Sequence, residues 1–129
     1  MKTALVTGAS SGIGKAIASA LLKEGMTVIG LCRSVDQLPD GVKPLACDLR
    51  DESAIEAAFK SLKELDILVN SAGLAYLSRI CDGNPSDWEE MWRVNVHALG
   101  ICSQLSLAHF PLDGSKNRGE DHTDKKADE

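Results

Sequence analysis

Three glycines near the amino terminus have the spacing of a phosphate-binding turn. They lie in the stretch TGASSGIG at residues 7–14, which follows a short apolar run and precedes a helix-forming segment. The first backbone N–H groups of such a helix lack intrahelical partners and face an anion favourably. Gly8 allows a sharp turn, Gly12 leaves room for a phosphate, and Gly14 lets the helix pack closely. The pattern favours a bound nucleotide phosphate, and an ordinary glycine-rich turn is the alternative.

A single amide lies on the apolar face of a helix predicted over about residues 87–108. Ser86 and Glu89 have the spacing of a capping box at its start. The apolar positions of this helix are Trp88, Met91, Trp92, Leu99, Cys102 and Leu105. An amide on such a face without partners costs about 1–3 kcal/mol, so we expect Asn95 to be hydrogen-bonded. Two interpretations stay open: Asn95 bonds neighbouring backbone for stability, or it holds water or backbone beside a ligand.

Four short apolar runs predict the strands that would position these residues. The first ends at Thr7, and the others span residues 27–31, 42–47 and 66–70. Helix-forming segments separate them, apart from residues 34–41, which leave room for only about one turn. This alternation implies parallel strands joined by right-handed crossovers. The sequence therefore predicts an open α/β sheet with flanking helices.

Two of the predicted helices have recognisable ends and buried faces. The first covers residues 15–24 and ends before Gly25, and the next begins after Asp51, which is suited to be its N-cap. The expected buried face of the first helix is Ile13, Ile17, Ala20 and Leu21. The expected buried face of the second is Ile55, Ala58, Phe59, Leu62 and Leu65.

Composition restricts the class of protein. The chain has 129 residues, enough for one domain, and its net charge of −5 argues against a nucleic-acid surface. No apolar run has the length of a secretory signal or a membrane span. The four cysteines are widely separated, which indicates reduced thiols and a cytoplasmic protein with no metal site. We expect a folded domain over residues 1–110 and a disordered polar tail over residues 111–129.

Together these motifs resemble the amino-terminal half of the short-chain dehydrogenase/reductase family over about residues 2–108. TGASSGIG matches the family's TGxxxGxG loop, and NSAG at residues 70–73 resembles its NNAG. Asp48 matches an acidic residue that contacts adenine, and Asn95, within VNV, matches the active-site asparagine. The resemblance implies a Rossmann-like sheet of about four strands in the order 3-2-1-4, incomplete relative to the family. It implies that the cofactor-binding residues are Gly8, Ser10, Ser11, Gly12, Ile13, Gly14, Arg33, Ser34, Asp48, Leu49, Asn70, Ala72 and Gly73.

The end of the second predicted strand bears on the choice of nicotinamide cofactor. Proteins that prefer NAD place a carboxylate there for the ribose 2′-hydroxyl. Here Cys32 takes that position and Arg33 follows, and a guanidinium matches a 2′-phosphate well. We therefore favour NADP(H) over NAD(H), with a solvated loop charge as the alternative role of Arg33.

The resemblance implies an oxidoreductase that transfers hydride between NADP(H) and a carbonyl or alcohol group. The family's proton donor is a tyrosine followed four residues later by lysine, whereas the chain's one tyrosine, Tyr76, is followed by Ile80. Of the family's catalytic group only Asn95 is present, so we expect no turnover from these 129 residues. The alternative is a non-catalytic NADP(H)-binding module or an interaction partner that interferes with full-length relatives. We also expect no membrane partner and an uncovered helix that favours a homodimer or pairing with full-length relatives.

Overall fold

A computed structural model describes residues 1–111 of the chain. Residues 112–129, which hold nearly all of the predicted tail, lie outside the described residues. The strands are β1 (Thr3–Thr7), β2 (Thr27–Cys32), β3 (Lys43–Ala46) and β4 (Ile67–Asn70). The α-helices are α1 (Gly12–Lys23), α2 (Glu52–Lys60), α3 (Pro85–Trp92) and α4 (Ala98–Ser106). A π-helical segment, Arg93–His97, joins α3 to α4, and short 3₁₀ turns span Val35–Gln37 and Ile80–Asp82.

The four strands form one parallel sheet in the order β3-β2-β1-β4. Leu5 of β1 pairs with Ile29 of β2 on one side and with Leu68 of β4 on the other. The predicted Rossmann-like sheet and its strand order are confirmed. Within residues 1–111, β3 and β4 are the two edge strands, and β1 and β2 lie between them.

Alternating residues of the strands fill a separate core on each face of the sheet. Leu5 joins a cluster with Leu31 and Phe59, which is covered by α2 and α4. Val6, the next residue of β1, joins Val28 in a cluster covered by α1. Successive side chains of a strand point to opposite faces, so the sheet is covered on both sides.

The first helix buries only part of its predicted face, because Ile17 and Leu21 pack against the core as predicted and Ile13 and Ala20 do not. Its buried residues are Gly14 and Ala18, whereas Ile13 is 76% exposed and Ala20 is also exposed. A Cβ at Gly14 would overlap the carbonyl of Gly8, so Gly14 must face the turn that precedes the helix. This contact sets the rotation of α1 and turns Ile13 away from the core.

The second helix has the predicted cap, but it ends at Lys60, before Leu62 and Leu65 of the predicted buried face, and Leu62 is half-buried. The Asp51 carboxylate accepts hydrogen bonds from the N–H groups of Ser53 and Ala54, at 3.0 and 3.3 Å. Ile55, Ala58 and Phe59 are buried, as is Leu65 beyond the helix end.

The long helix begins earlier than predicted and is not regular throughout. Asn84, not Ser86, is the N-cap of α3, and its side-chain oxygen accepts a bond from the Ser86 N–H at 3.0 Å. Pro85 occupies the first helical position, where its missing N–H costs nothing. The sequence pattern does not predict the π-helical turn.

No helix within residues 1–111 has the length and apolar character needed to cross a bilayer.

Candidate functional site

A cleft of about 400 Å³ opens where the carboxyl ends of the parallel strands meet the loops that follow them. Its wall contains every residue of the predicted cofactor-binding set except Asn70. These residues are Gly8, Ser10, Ser11, Gly12, Ile13, Gly14, Arg33, Ser34, Asp48, Leu49, Ala72 and Gly73. The other wall residues carry no motif that predicts this role, and they are Leu31, Cys32, Cys47, Arg50, Ser71, Leu74, Tyr76 and Val94.

The turn between β1 and α1 has the backbone that its glycines allow. Gly8 and Gly12 adopt φ values of +66° and +55°, in the left-handed region that favours glycine. A Cβ at Gly8 would lie 2.6 Å from the Cα of Ala72, so the turn after β4 packs directly on it. A Cβ at Gly12 would meet nothing within 4 Å. The turn therefore leaves open space in front of the amino terminus of α1, which is where an anion binds favourably.

Thr7 joins this turn to the loop that follows β4. Its side chain is 1% exposed, and its hydroxyl oxygen accepts the N–H groups of Ser71 and Ala72, each at 3.1 Å. The hydroxyl also lies 3.5 Å from the carbonyl oxygen of Val69, to which it donates. The sequence analysis assigned Thr7 no role, although a threonine at the end of an apolar strand was a visible signal.

The two asparagines predicted to belong to the site, Asn70 and Asn95, form hydrogen bonds with other parts of the chain near the cleft. The Asn70 amide donates to the Ser103 hydroxyl of α4 at 3.1 Å, outside the main cleft. Asn95 lies in the π-helical segment, where its amide accepts the N–H of Leu74 and donates to the carbonyl of Leu74, both at 2.8 Å. Leu74 lines the cleft, so Asn95 holds backbone that forms part of the cleft wall. Both open interpretations of Asn95 are compatible with this contact.

A chain of charged groups lies along one side of the cleft. Both carboxylate oxygens of Asp48 contact the Arg50 guanidinium, the shortest contact being 2.8 Å, and this pair holds the pKa of Asp48 below its usual range. The third guanidinium nitrogen of Arg50, Nη1, lies 3.6 Å from the carboxylate of Glu90. The Tyr76 hydroxyl donates to the other oxygen of Glu90 at 2.7 Å, which raises the pKa of the phenol.

Arg33 stands at the end of β2 on the same side of the cleft. It is exposed, and its positive charge contributes to the lowered pKa of Asp48. Cys32 precedes it as a buried thiol whose pKa is raised, mainly by burial. The end of β2 therefore carries a cation, Arg33, and a neutral thiol, Cys32. Neither is the carboxylate that proteins preferring NAD place there for the ribose 2′-hydroxyl.

The geometry suits binding of an extended anionic ligand better than acid–base chemistry. The cleft joins a bare helix amino terminus at one part of its wall to Arg33 and Arg50 at another. Tyr76 lines the wall, but its hydroxyl is bonded to Glu90. Among the described residues, no group of three or more His, Cys, Asp or Glu side chains is placed to hold a metal ion.

Comparison with known proteins identifies the family. Residues 2–120 match the family described as short chain dehydrogenase, and the chain belongs to it. The chain is 39% identical to dehydrogenase/reductase SDR family member 11 of Bos taurus, over 80% of this chain and 47% of that protein. It is 40% identical to a probable NADP-dependent dehydrogenase of Haemophilus influenzae, over 84% of this chain and 48% of that protein.

Solved structures agree with this assignment. An alcohol dehydrogenase of the archaeon Thermococcus sibiricus, complexed with 5-hydroxy-NADP, superimposes with a TM-score of 0.77 at 31% identity. The match covers 84% of this chain and 53% of that chain. The present chain thus spans about half the length of the curated relatives it matches.

Proposed function

We propose that this chain binds NADP(H) in the cleft and is the coenzyme-binding half of an oxidoreductase acting on a carbonyl or alcohol group. The observation that carries the proposal is the turn from Gly8 to Gly12, in which both glycines are left-handed and the space around Gly12, at the amino terminus of α1, is open. Backbone N–H groups at a helix start bind a pyrophosphate without any side chain. When bound, the nicotinamide supplies the hydride chemistry, and the residues described here bind and orient it.

The remainder of the cleft suits the adenosine end of that ligand. Arg33 would face the ribose 2′-phosphate, because it directly follows the last residue of β2. Leu49 and Val94 offer apolar surface for a base, with the Asp48 carboxylate beside them. The names of the Haemophilus and Thermococcus relatives, one NADP-dependent and one solved with an NADP derivative, support the choice of NADP(H).

We further propose that these 129 residues by themselves do not reduce a carbonyl. Proton transfer to the substrate oxygen needs a positioned donor. The single tyrosine, Tyr76, has Ile80 four residues later, and its hydroxyl already donates to Glu90. Asn95, the one family active-site residue present, holds the backbone of Leu74.

A second candidate function is a binding module that pairs with another copy or with full-length relatives. The observation that favours it is the exposure of Trp88, Trp92 and Leu99, at 42%, 52% and 45%. All three lie on the continuous helical segment from α3 to α4, and exposed patches of large apolar side chains are typical of contact surfaces. The four unpaired cysteines support a reducing compartment such as the cytoplasm.

Titration of the purified chain with NADPH tests the proposed binding. Calorimetry measures the affinity, and the fluorescence of Trp88 and Trp92 is a second probe. Gly12→Asp should abolish binding, because a carboxylate would stand against the phosphates. Gly12→Asn is the matched control: it has nearly the same shape without the charge, and asparagine tolerates a positive φ.

The outcomes of this titration are distinct. Binding to the unsubstituted chain together with loss in Gly12→Asp and a smaller loss in Gly12→Asn supports the phosphate assignment. Binding that survives Gly12→Asp contradicts it. NADPH oxidation in the presence of a carbonyl substrate should stay at background, and a robust rate would show that another group supplies the proton.

A further inference from the structure

Glu90 makes contact with two wall residues of the cleft, Tyr76 and Arg50, without lining it. Its carboxylate accepts a hydrogen bond from Tyr76, in the loop after β4, and lies 3.6 Å from Arg50, in the loop after β3. Tyr76 and Arg50 are both wall residues of the cleft. One side chain on α3 therefore connects two loops that reach the cleft from different strands.

The contact of Arg50 with Asp48 extends this connection to the group expected to face adenine. The Asp48 carboxylate receives the Arg50 backbone N–H at 3.0 Å in addition to its guanidinium contacts. A carboxylate has about four lone-pair sites, and these contacts occupy nearly all of them. Asp48 is therefore held in one orientation by Arg50, whose other guanidinium nitrogen faces Glu90.

We propose that Glu90 is a positioning residue for the coenzyme cleft, acting through Tyr76 and Arg50 to hold the loops after β4 and β3 in their binding geometry. The inference rests on the proposed binding of NADP(H), since it assigns Glu90 a role in that same site. The physical reason is preorganisation: a wall already held in place loses less conformational freedom when the ligand binds.

The affinity test compares Glu90→Gln with Glu89→Gln. The two glutamates are neighbours on α3 and the charge change is the same, but Glu89 is exposed and its carboxylate contacts neither Tyr76 nor Arg50. Because exposed ion pairs and hydrogen bonds are weak, Glu90→Gln should raise the Kd for NADPH about threefold to fivefold, and Glu89→Gln should leave it unchanged. In a Tyr76→Phe background, the effect of Glu90→Gln should be smaller.

A spectroscopic test reports on the contact itself and needs no coenzyme. Tyr76 is the only tyrosine of the chain, so the ultraviolet absorbance of tyrosinate follows a single residue during an alkaline titration. Glu90 is the main cause of the raised pKa of Tyr76, Asp87 adds to it and Arg50 opposes it. Glu90→Gln should therefore lower the pKa of Tyr76 towards its ordinary value.

The results that would overturn the inference differ from those that would overturn the proposed function. If the unsubstituted chain binds neither NADPH nor NADH, the proposed function fails and the positioning role fails with it. If the unsubstituted chain binds NADPH and Glu90→Gln binds equally well, only the positioning role fails. Equal losses in Glu90→Gln and Glu89→Gln, or full additivity with Tyr76→Phe, would likewise overturn it.

Discussion

At the residue scale, one side chain at the end of β2 bears most directly on the choice of coenzyme. Arg33 is exposed and lines the cleft, whereas its neighbour Cys32 is a buried, neutral thiol. A guanidinium gains from a 2′-phosphate but has no comparable interaction with a 2′-hydroxyl. We therefore expect the selectivity for NADPH over NADH to depend on Arg33.

Arg33→Ala should raise the Kd for NADPH about tenfold and change the Kd for NADH much less, because one charge-assisted hydrogen bond is lost. Calorimetric titration with each coenzyme measures both values. Arg79→Ala is the control, since Arg79 is also exposed but pairs with Asp82 and does not line the cleft. Equal losses for the two coenzymes would mean that Arg33 does not contact the 2′-phosphate.

At the scale of elements, a single hydroxyl links the carboxyl end of β1 to the loop that follows its neighbour β4. Thr7 ends β1, and its buried oxygen accepts two N–H groups from the loop after β4. The same loop packs on Gly8, where no Cβ fits. The shape of the cleft therefore depends on how closely these two strand ends approach one another.

Thr7→Val should lower the free energy of unfolding by about 1–3 kcal/mol, because two N–H groups lose their acceptor while the volume of the side chain is kept. Urea denaturation followed by tryptophan fluorescence measures the change. Thr7→Ser, which retains the hydroxyl, should be the milder variant. A Thr7→Val protein as stable as the unsubstituted chain would show that the hydroxyl contributes nothing to this junction.

At the scale of the whole molecule, burial determines how easily each cysteine thiol loses its proton and how far it is exposed to solvent. Cys47, which follows β3, and Cys102 of α4 lie in the same core cluster, and burial raises the pKa of each thiol to about 11. Cys81 is exposed in the loop before α3. Because the pKa of each thiol is raised in the folded state, the two thiols also make the free energy of unfolding depend on pH. Their contribution is fully present below the ordinary thiol pKa and is lost as the pH rises through about 11.

A thiol reagent should therefore modify the folded chain first and fastest at Cys81, giving a single adduct by mass spectrometry at neutral pH. The thiolate is the reactive form, and the three buried thiols, Cys32, Cys47 and Cys102, have raised pKa values and little exposed surface. All four cysteines should react in denaturant. Cys81→Ser should abolish the fast adduct, and rapid labelling of Cys47 or Cys102 in the folded chain would contradict the described core.

Local patterns were enough to predict much of this fold. The alternation of apolar runs with helical segments predicts the parallel sheet, and the Asp51 cap depends only on neighbouring residues. The predicted burial of Ile13 in α1 was wrong, because the rotation of this helix about its axis depends on the contact between Gly14 and Gly8. The predicted start of α3 was wrong, because Ser86 and Asn84 are both residue types that cap helices. Only the structure shows that Asn84 is the N-cap.

The amino-acid sequence by itself determined the class of the chain and most of the residues around its cleft. Glycine spacing and apolar periodicity are properties of neighbouring residues and can be read along the chain. Only the tertiary structure decided the contacts of Thr7 with the loop after β4, of Asn95 with Leu74, and of Glu90 with Arg50 and Tyr76. Each of these joins segments far apart in the chain, and their approach depends on how the strands and helices pack.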